Sequence, residues 1–157
     1  MTQPPSQRRR WKRVEVRVAE ILSEIFSDAG KDPVERIPIL GRTGPDISYN
    51  QIELIVDVKS RHQVPKGSLA VKGQALALRD MLGFQLEDLP NLANLSPFTA
   101  TPSRLVSGWL SHMHEWKIQN VPTGITCVVL HRPHMPVGQS TVIIYAKERN
   151  TLCHRIA

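Results

Sequence analysis

Apolar residues recur along the first thirty positions with the 3.6-residue period of a helix. Stepping 100° per residue from about Lys12 to Ser27 sets Trp11, Val14, Val18, Ile21, Leu22 and Ile25 on one face. Glu20 and Glu24 fall on the opposite face, in water. Glu15 breaks this separation: it lies on the flank of the apolar stripe, among Trp11, Val18 and Leu22. Gly30 and Pro33 end the segment. The period then shortens. Val34–Leu40 alternates as a strand does, residues 41–46 (GRTGPD) form a turn, and Ile52–Val58 (IELIVDV) reads as a buried strand. A basic loop occupies residues 59–72. Gly73–Leu82 returns to helical period, and the Pro-, Asn- and Ser-rich stretch 84–102 reads as irregular.

Ser103 is placed to cap a helix to about Lys117, with Leu105, Val106, Trp109, Leu110, Met113 and Trp116 on its apolar side. Core packing is the expected role of that side, and a dimer face is the sharper alternative. Ile125–Leu130 and Thr141–Lys147 are β-branched strands joined by RPHMPVGQ. Residues after Glu148 carry no clear signal. This order predicts an α/β protein with a small mixed sheet flanked by helices, not a doubly wound one, because strands and helices do not alternate regularly. No glycine-rich phosphate loop is present.

At 157 residues and 41% hydrophobic, the chain is large enough to bury one core. No apolar run reaches membrane-spanning length, and no secretory leader is visible. Two cysteines, Cys127 and Cys153, are too few for a disulfide framework, so a reducing, cytoplasmic setting is expected. Charge adds more. Lys plus Arg number 20 against 14 Asp plus Glu, giving a formal net charge of +6. Arg8, Arg9, Arg10, Lys12 and Arg13 fall in the first thirteen residues with no acid among them, and the rest of the chain is nearly balanced. Residues 1–11 are therefore expected to be a flexible basic tail that attracts a polyanion, nucleic acid before membrane.

Asp46, Asp57 and Lys59 hold the candidate chemistry. Asp57 lies near the end of an otherwise apolar strand, and Lys59, two residues on, shares its face. An acid and a lysine there are costly unless paired or used. The bland reading is an ion pair at a strand end beside a Pro-Asp turn. A divalent cation would satisfy two carboxylates at once. The histidines do not make a zinc site: His112 and His114 are two apart on a helix, and no paired cysteines accompany them or His131 and His134. His131 is expected to be a surface polar residue at a strand end. Cys127 is expected mid-strand and buried.

Pro45-Asp46, a strand, then Asp57-Val58-Lys59, eleven residues from acid to acid, resembles the PD-(D/E)XK nuclease superfamily. Glu15 in the first helix, Gly41-Arg42-Thr43-Gly44 before Pro45-Asp46, and Asp57-Val58-Lys59-Ser60-Arg61 resemble its archaeal-type Holliday junction resolvase branch. The match spans roughly residues 11–80. The resemblance implies a restriction-endonuclease-like fold with a central mixed sheet of four or five strands. It implies a single nuclease domain over 12–150, and a helical insertion near 84–118 departs from the compact resolvase pattern. It also implies a Mg²⁺-dependent endodeoxyribonuclease, with Mn²⁺ able to substitute, acting as a homodimer on four-way DNA junctions in a microbe or phage. Asp46 and Asp57 would be the metal ligands, Lys59 the catalytic lysine, and Glu15 a further acid of the site, direct or through water. Gln74 matches a polar position near such sites. Arg42, Arg61, His62, Lys66 and Lys72, with Arg8, Arg9, Arg10, Lys12 and Arg13, would contact DNA, Arg42 and Thr43 near the scissile phosphate. The alternatives are a duplex nuclease of restriction, nicking, homing or repair type, a non-catalytic DNA-binding protein, and an RNA-processing nuclease.

Overall fold

The computed structural model describes residues 5–32, 45–49, 51–60, 81–94, 98–99 and 104–157. The strand expected at 34–40, the loop at 61–72 and most of the helix expected at 73–82 lie outside them. Helix α1 runs Pro5–Asp28. It starts seven residues before the expected Lys12, so residues 5–11 are the first turns of a helix and not a loose tail. Proline suits such a start, because its missing N–H would have had no intrahelical partner. At the other end Gly30 takes φ 77°. The Lys31 N–H reaches the Phe26 carbonyl at 2.7 Å and the Gly30 N–H reaches that of Ser27 at 2.9 Å, the paired closure of a Schellman motif.

Strands β1 (Ile47–Tyr49) and β2 (Leu54–Ser60) pair antiparallel across the turn at Gln51–Glu53. Strands β3 (Met81–Gln85) and β4 (Phe98–Thr99) follow, then helix α2 (Arg104–Asn120), β5 (Ile125–His131), β6 (Thr141–Tyr145) and helix α3 (Arg149–Ile156). Among the described residues the sheet is mixed, ordered β1-β2-β5-β6-β3-β4, with six strands of which β4 has only two residues. β2 and β5 run parallel, and α2 lies between them in the chain, as a parallel connection requires.

Residues 84–118, expected as a helical insertion, hold the end of β3, the strand β4 and most of α2. β3 is a buried strand paired with β6 along Met81–Gln85, and α2 covers the sheet. Met81 and Leu82, assigned by period to the end of a helix, belong to β3.

Alternation along the strands divides the core in two. On one face Val14, Val18, Leu22 and Phe26 of α1 meet Leu54, Val56, Cys127, Val129, Val142 and Ile144, joined by Leu152 and Ile156 of α3. On the other, Val106 and Leu110 of α2 meet Met81, Val128 and Ile143. Val106, Leu110 and Met113 are buried, so the apolar side of α2 is core within the chain and is not available as a dimer face. Phe26 stacks on Tyr49 with ring centroids 4.8 Å apart, which fixes the end of α1 to β1. Among the described residues no helix is long and apolar enough to cross a membrane.

Candidate active site

The spacing between the two aspartates is a consequence of the hairpin. Ile47 stands opposite Val56, so the same register carried one residue outward sets Asp46 opposite Asp57. β1 ends there, and Asp46 supplies what the missing strand would have given. Its backbone N–H donates to the Val56 carbonyl at 3.0 Å. Its carboxylate Oδ2 accepts from the Val58 N–H at 2.7 Å. Pro45 before it is buried.

Burial pushes the Asp46 carboxyl up from its usual 3.8 to about 7. The Val58 N–H offsets part of this by favouring the ionised form. The hydrogen bond that protonated Asp46 donates to the Asp57 carboxylate, the charge of Asp57 and then the charge of Glu15 all push the same way as burial. The three acids therefore share one electrostatic site although they come from α1, the edge of β1 and β2. Two carboxyls this close hold a proton between them more readily than two full charges.

Asp57 is 7% exposed. Lys59 reaches it along the strand, with Nζ 3.3 Å from Oδ2. The Lys59 ammonium also stands 5.4 Å from the centroid of the Trp109 ring on α2. Sequence periodicity put Trp109 on the apolar side of its helix and gave no sign of this contact. It is half-buried at the flank of that side, where a helix face passes from core to site.

His131 is also placed differently from expectation. It is 6% exposed, closing the end of β5 beside Ser60 of β2. Nε2 lies 2.9 Å from the Met135 carbonyl oxygen and Nδ1 lies 3.3 Å from Ser60 Oγ. A carbonyl only accepts, so Nε2 donates to it, and Nδ1 shares a hydrogen bond with the serine hydroxyl. The burial of His131 follows from these two bonds at the rim of the sheet. Cys127 is buried mid-strand as expected, and burial raises its thiol pKa far above the ordinary range. A thiol so disposed is no nucleophile.

Lys12 and Arg13 are exposed on α1. Arg8, Arg9 and Arg10 belong to the same helix, and their side chains lie outside the described residues, as do Arg42, Thr43, Arg61, His62, Lys66, Lys72 and Gln74 entirely. Among the described residues no group of three or more His, Cys, Asp or Glu side chains is arranged to hold a metal ion. Asp46 and Asp57 make a pair, and Glu15 acts on it through its charge. Mg²⁺ is commonly held by one or two carboxylates while it keeps several waters, so a pair of acids is a donor set of the right kind and number. The chain matches no family model, no curated protein and no solved structure.

Proposed function

We propose that this protein is a Mg²⁺-dependent endodeoxyribonuclease of the PD-(D/E)XK kind, selective for branched DNA and acting as a junction resolvase. The observation that carries the reading is the placement of Asp46 across from Asp57, with Lys59 on the same strand face at 3.3 Å. A structural ion pair needs only one acid for one lysine. The second acid, held in place with its pKa near 7, gains nothing from that pair. It makes sense as a ligand whose proton leaves when a cation arrives.

In this reading Asp46 and Asp57 hold the cation, and Glu15 adds negative charge behind them. When bound, Mg²⁺ supplies positive charge to the scissile phosphate and acidifies a bound water. The Lys59 ammonium stabilises the negative charge that develops on the phosphate oxygens. The basic first half of α1 binds the DNA backbone, which positions the substrate without reading its sequence. A four-way junction has two symmetric strands to cut, so a C₂ dimer supplies the two sites.

The test is a cleavage assay with Mg²⁺ on a synthetic four-way junction, a Y-fork, linear duplex and single strand. Paired symmetric nicks confined to the junction are expected. Cutting of linear duplex at a fixed sequence would place the protein with restriction or homing nucleases. Tight binding with no cutting of any substrate would make it a non-catalytic DNA-binding protein. Asp57→Ala and Lys59→Ala are each expected to lower cleavage by at least about 10²-fold. Junction affinity should change little, and a parallel loss of binding would count against these roles.

A further inference from the structure

Among the described residues Lys59 meets a carboxylate and an indole ring, and the proposed chemistry removes the first. Its Nζ is 3.3 Å from Asp57 Oδ2 and its side chain is 32% exposed. In the nuclease reading the Asp57 carboxylate turns to the cation, and the ion pair competes with that ligation for the same oxygens. A lysine stem has four rotatable methylenes and no fixed fork, so an ammonium released from its carboxylate is free to swing into water. The Trp109 ring, 5.4 Å from Nζ, is an uncharged partner that does not compete with a metal. Indole is the best of the aromatic faces for a cation. Its backbone is fixed as well: Val106 and Leu110, on the same helix, are fully buried against Val128 and Ile143.

We propose that Trp109 is a positioning residue for Lys59, holding the ammonium by the indole face once Asp57 is engaged by a cation. The inference rests on the nuclease reading for its catalytic consequence and on the Lys59–Trp109 geometry for its physical content. Two variants separate the indole face from mere bulk. Trp109→Phe keeps an aromatic ring, whereas Trp109→Leu keeps an apolar side chain without one. Trp109→Leu is expected to lower kcat for junction cleavage about tenfold, the size of a partly desolvated cation–π contact, with KM within about twofold. Trp109→Phe should restore most of kcat. A residue that only fills space would show the two variants alike.

The second readout is independent of cleavage. In proton–carbon NMR the Lys59 ε-methylene signal, assigned by its loss in Lys59→Met, should lie upfield from the ring current of Trp109. It should return to the ordinary position in Trp109→Leu and stay upfield when Mg²⁺ is added to the native protein. An unshifted signal, or one that Trp109→Leu leaves alone, overturns the proposal. So does an unchanged kcat in a Trp109→Leu protein. An upfield signal in a protein that cuts no DNA would retain the contact and end both the nuclease reading and the positioning role.

Discussion

Asp46 sets the pH behaviour of the site. Its carboxyl titrates at about 7 in the folded chain and near 3.8 when unfolded. Between those values the folded state holds a proton that the unfolded state has lost. Stability from this group is therefore complete below about pH 4 and is lost as pH rises through 7. The shift converts to at most about 4 kcal/mol, and less because Asp46 is not fully buried. Urea unfolding in EDTA at pH 5 and pH 8 should show the native protein weaker at pH 8. In Asp46→Asn, whose amide oxygen can still accept from Val58, that difference should shrink by about 2 kcal/mol or more. Mg²⁺ should act in the opposite sense, since it favours the ionised carboxyls: its thermal stabilisation should be larger at pH 8 than at pH 6, and absent in Asp46→Asn. Asp57→Asn keeps an acceptor oxygen but removes a charge that raises Asp46, so the Asp46 carbon resonance should then titrate at lower pH. An Asp46 midpoint unmoved in that variant would mean that the two acids do not share a site.

Among the elements, α2, β5 and the start of α3 meet around a buried charge at the end of the sheet away from the site. Glu148 is 7% exposed, and burial raises its carboxyl above the usual range while Lys117 and the Thr126 N–H pull it back. Lys117 Nζ stands 3.7 Å from Oε1 and the Thr126 N–H reaches Oε2 at 3.3 Å. Removing one partner of such a pair leaves a charge in a poor solvent, so Lys117→Met should destabilise by about 3 kcal/mol at pH 8. The loss should shrink toward pH 5, where Glu148 of the variant takes up a proton; a loss independent of pH would show that Lys117 acts by packing alone. Elements differed in how plainly the chain announced them. The α1 stripe and Gly30 gave both a face and a stop, since burial and helix closure are local to those residues. The eleven-residue gap between Asp46 and Asp57 is legible too, because it is the register of one hairpin. β3 was hidden because Met81 and Leu82 continue a helical period, and only their pairing with Tyr145 and Ile144 makes them strand. α3 buries only Leu152 and Ile156, too few to mark a face. Trp109 beside Lys59, and His131 beside Ser60, depend on how distant segments meet, which no period along one segment contains.

At the scale of the molecule the charge is unevenly placed, and α1 bears the imbalance. Arg8, Arg9, Arg10, Lys12 and Arg13 fall in its first half with the single acid Glu15, and Glu20, Glu24 and Asp28 fall in its second half with Arg17. A helix dipole favours the reverse order, by about 0.3–1 kcal/mol per well-placed charge. Like charges four apart, as Arg9 and Arg13 are, add repulsion. Arg17 pairs within the helix with Glu20 at 3.1 Å and Glu24 at 3.7 Å. By charge pattern alone the first turns carry like-charge strain, and a polyanion along them would offset it. Two consequences follow if α1 lies on a DNA backbone. Amide hydrogen exchange over residues 6–13 should slow on adding a four-way junction. Replacing Arg8, Arg9 and Arg10 together by Gln should flatten the dependence of log K on log salt by about 2.7, since each phosphate contact contributes about 0.9 to the slope on duplex arms. The same variant should unfold at an equal or slightly higher urea midpoint, because it relieves the strain. An unchanged salt slope with unchanged exchange would take the DNA off this helix and leave its basic half without a ligand, whatever the outcome at Asp46 and Asp57.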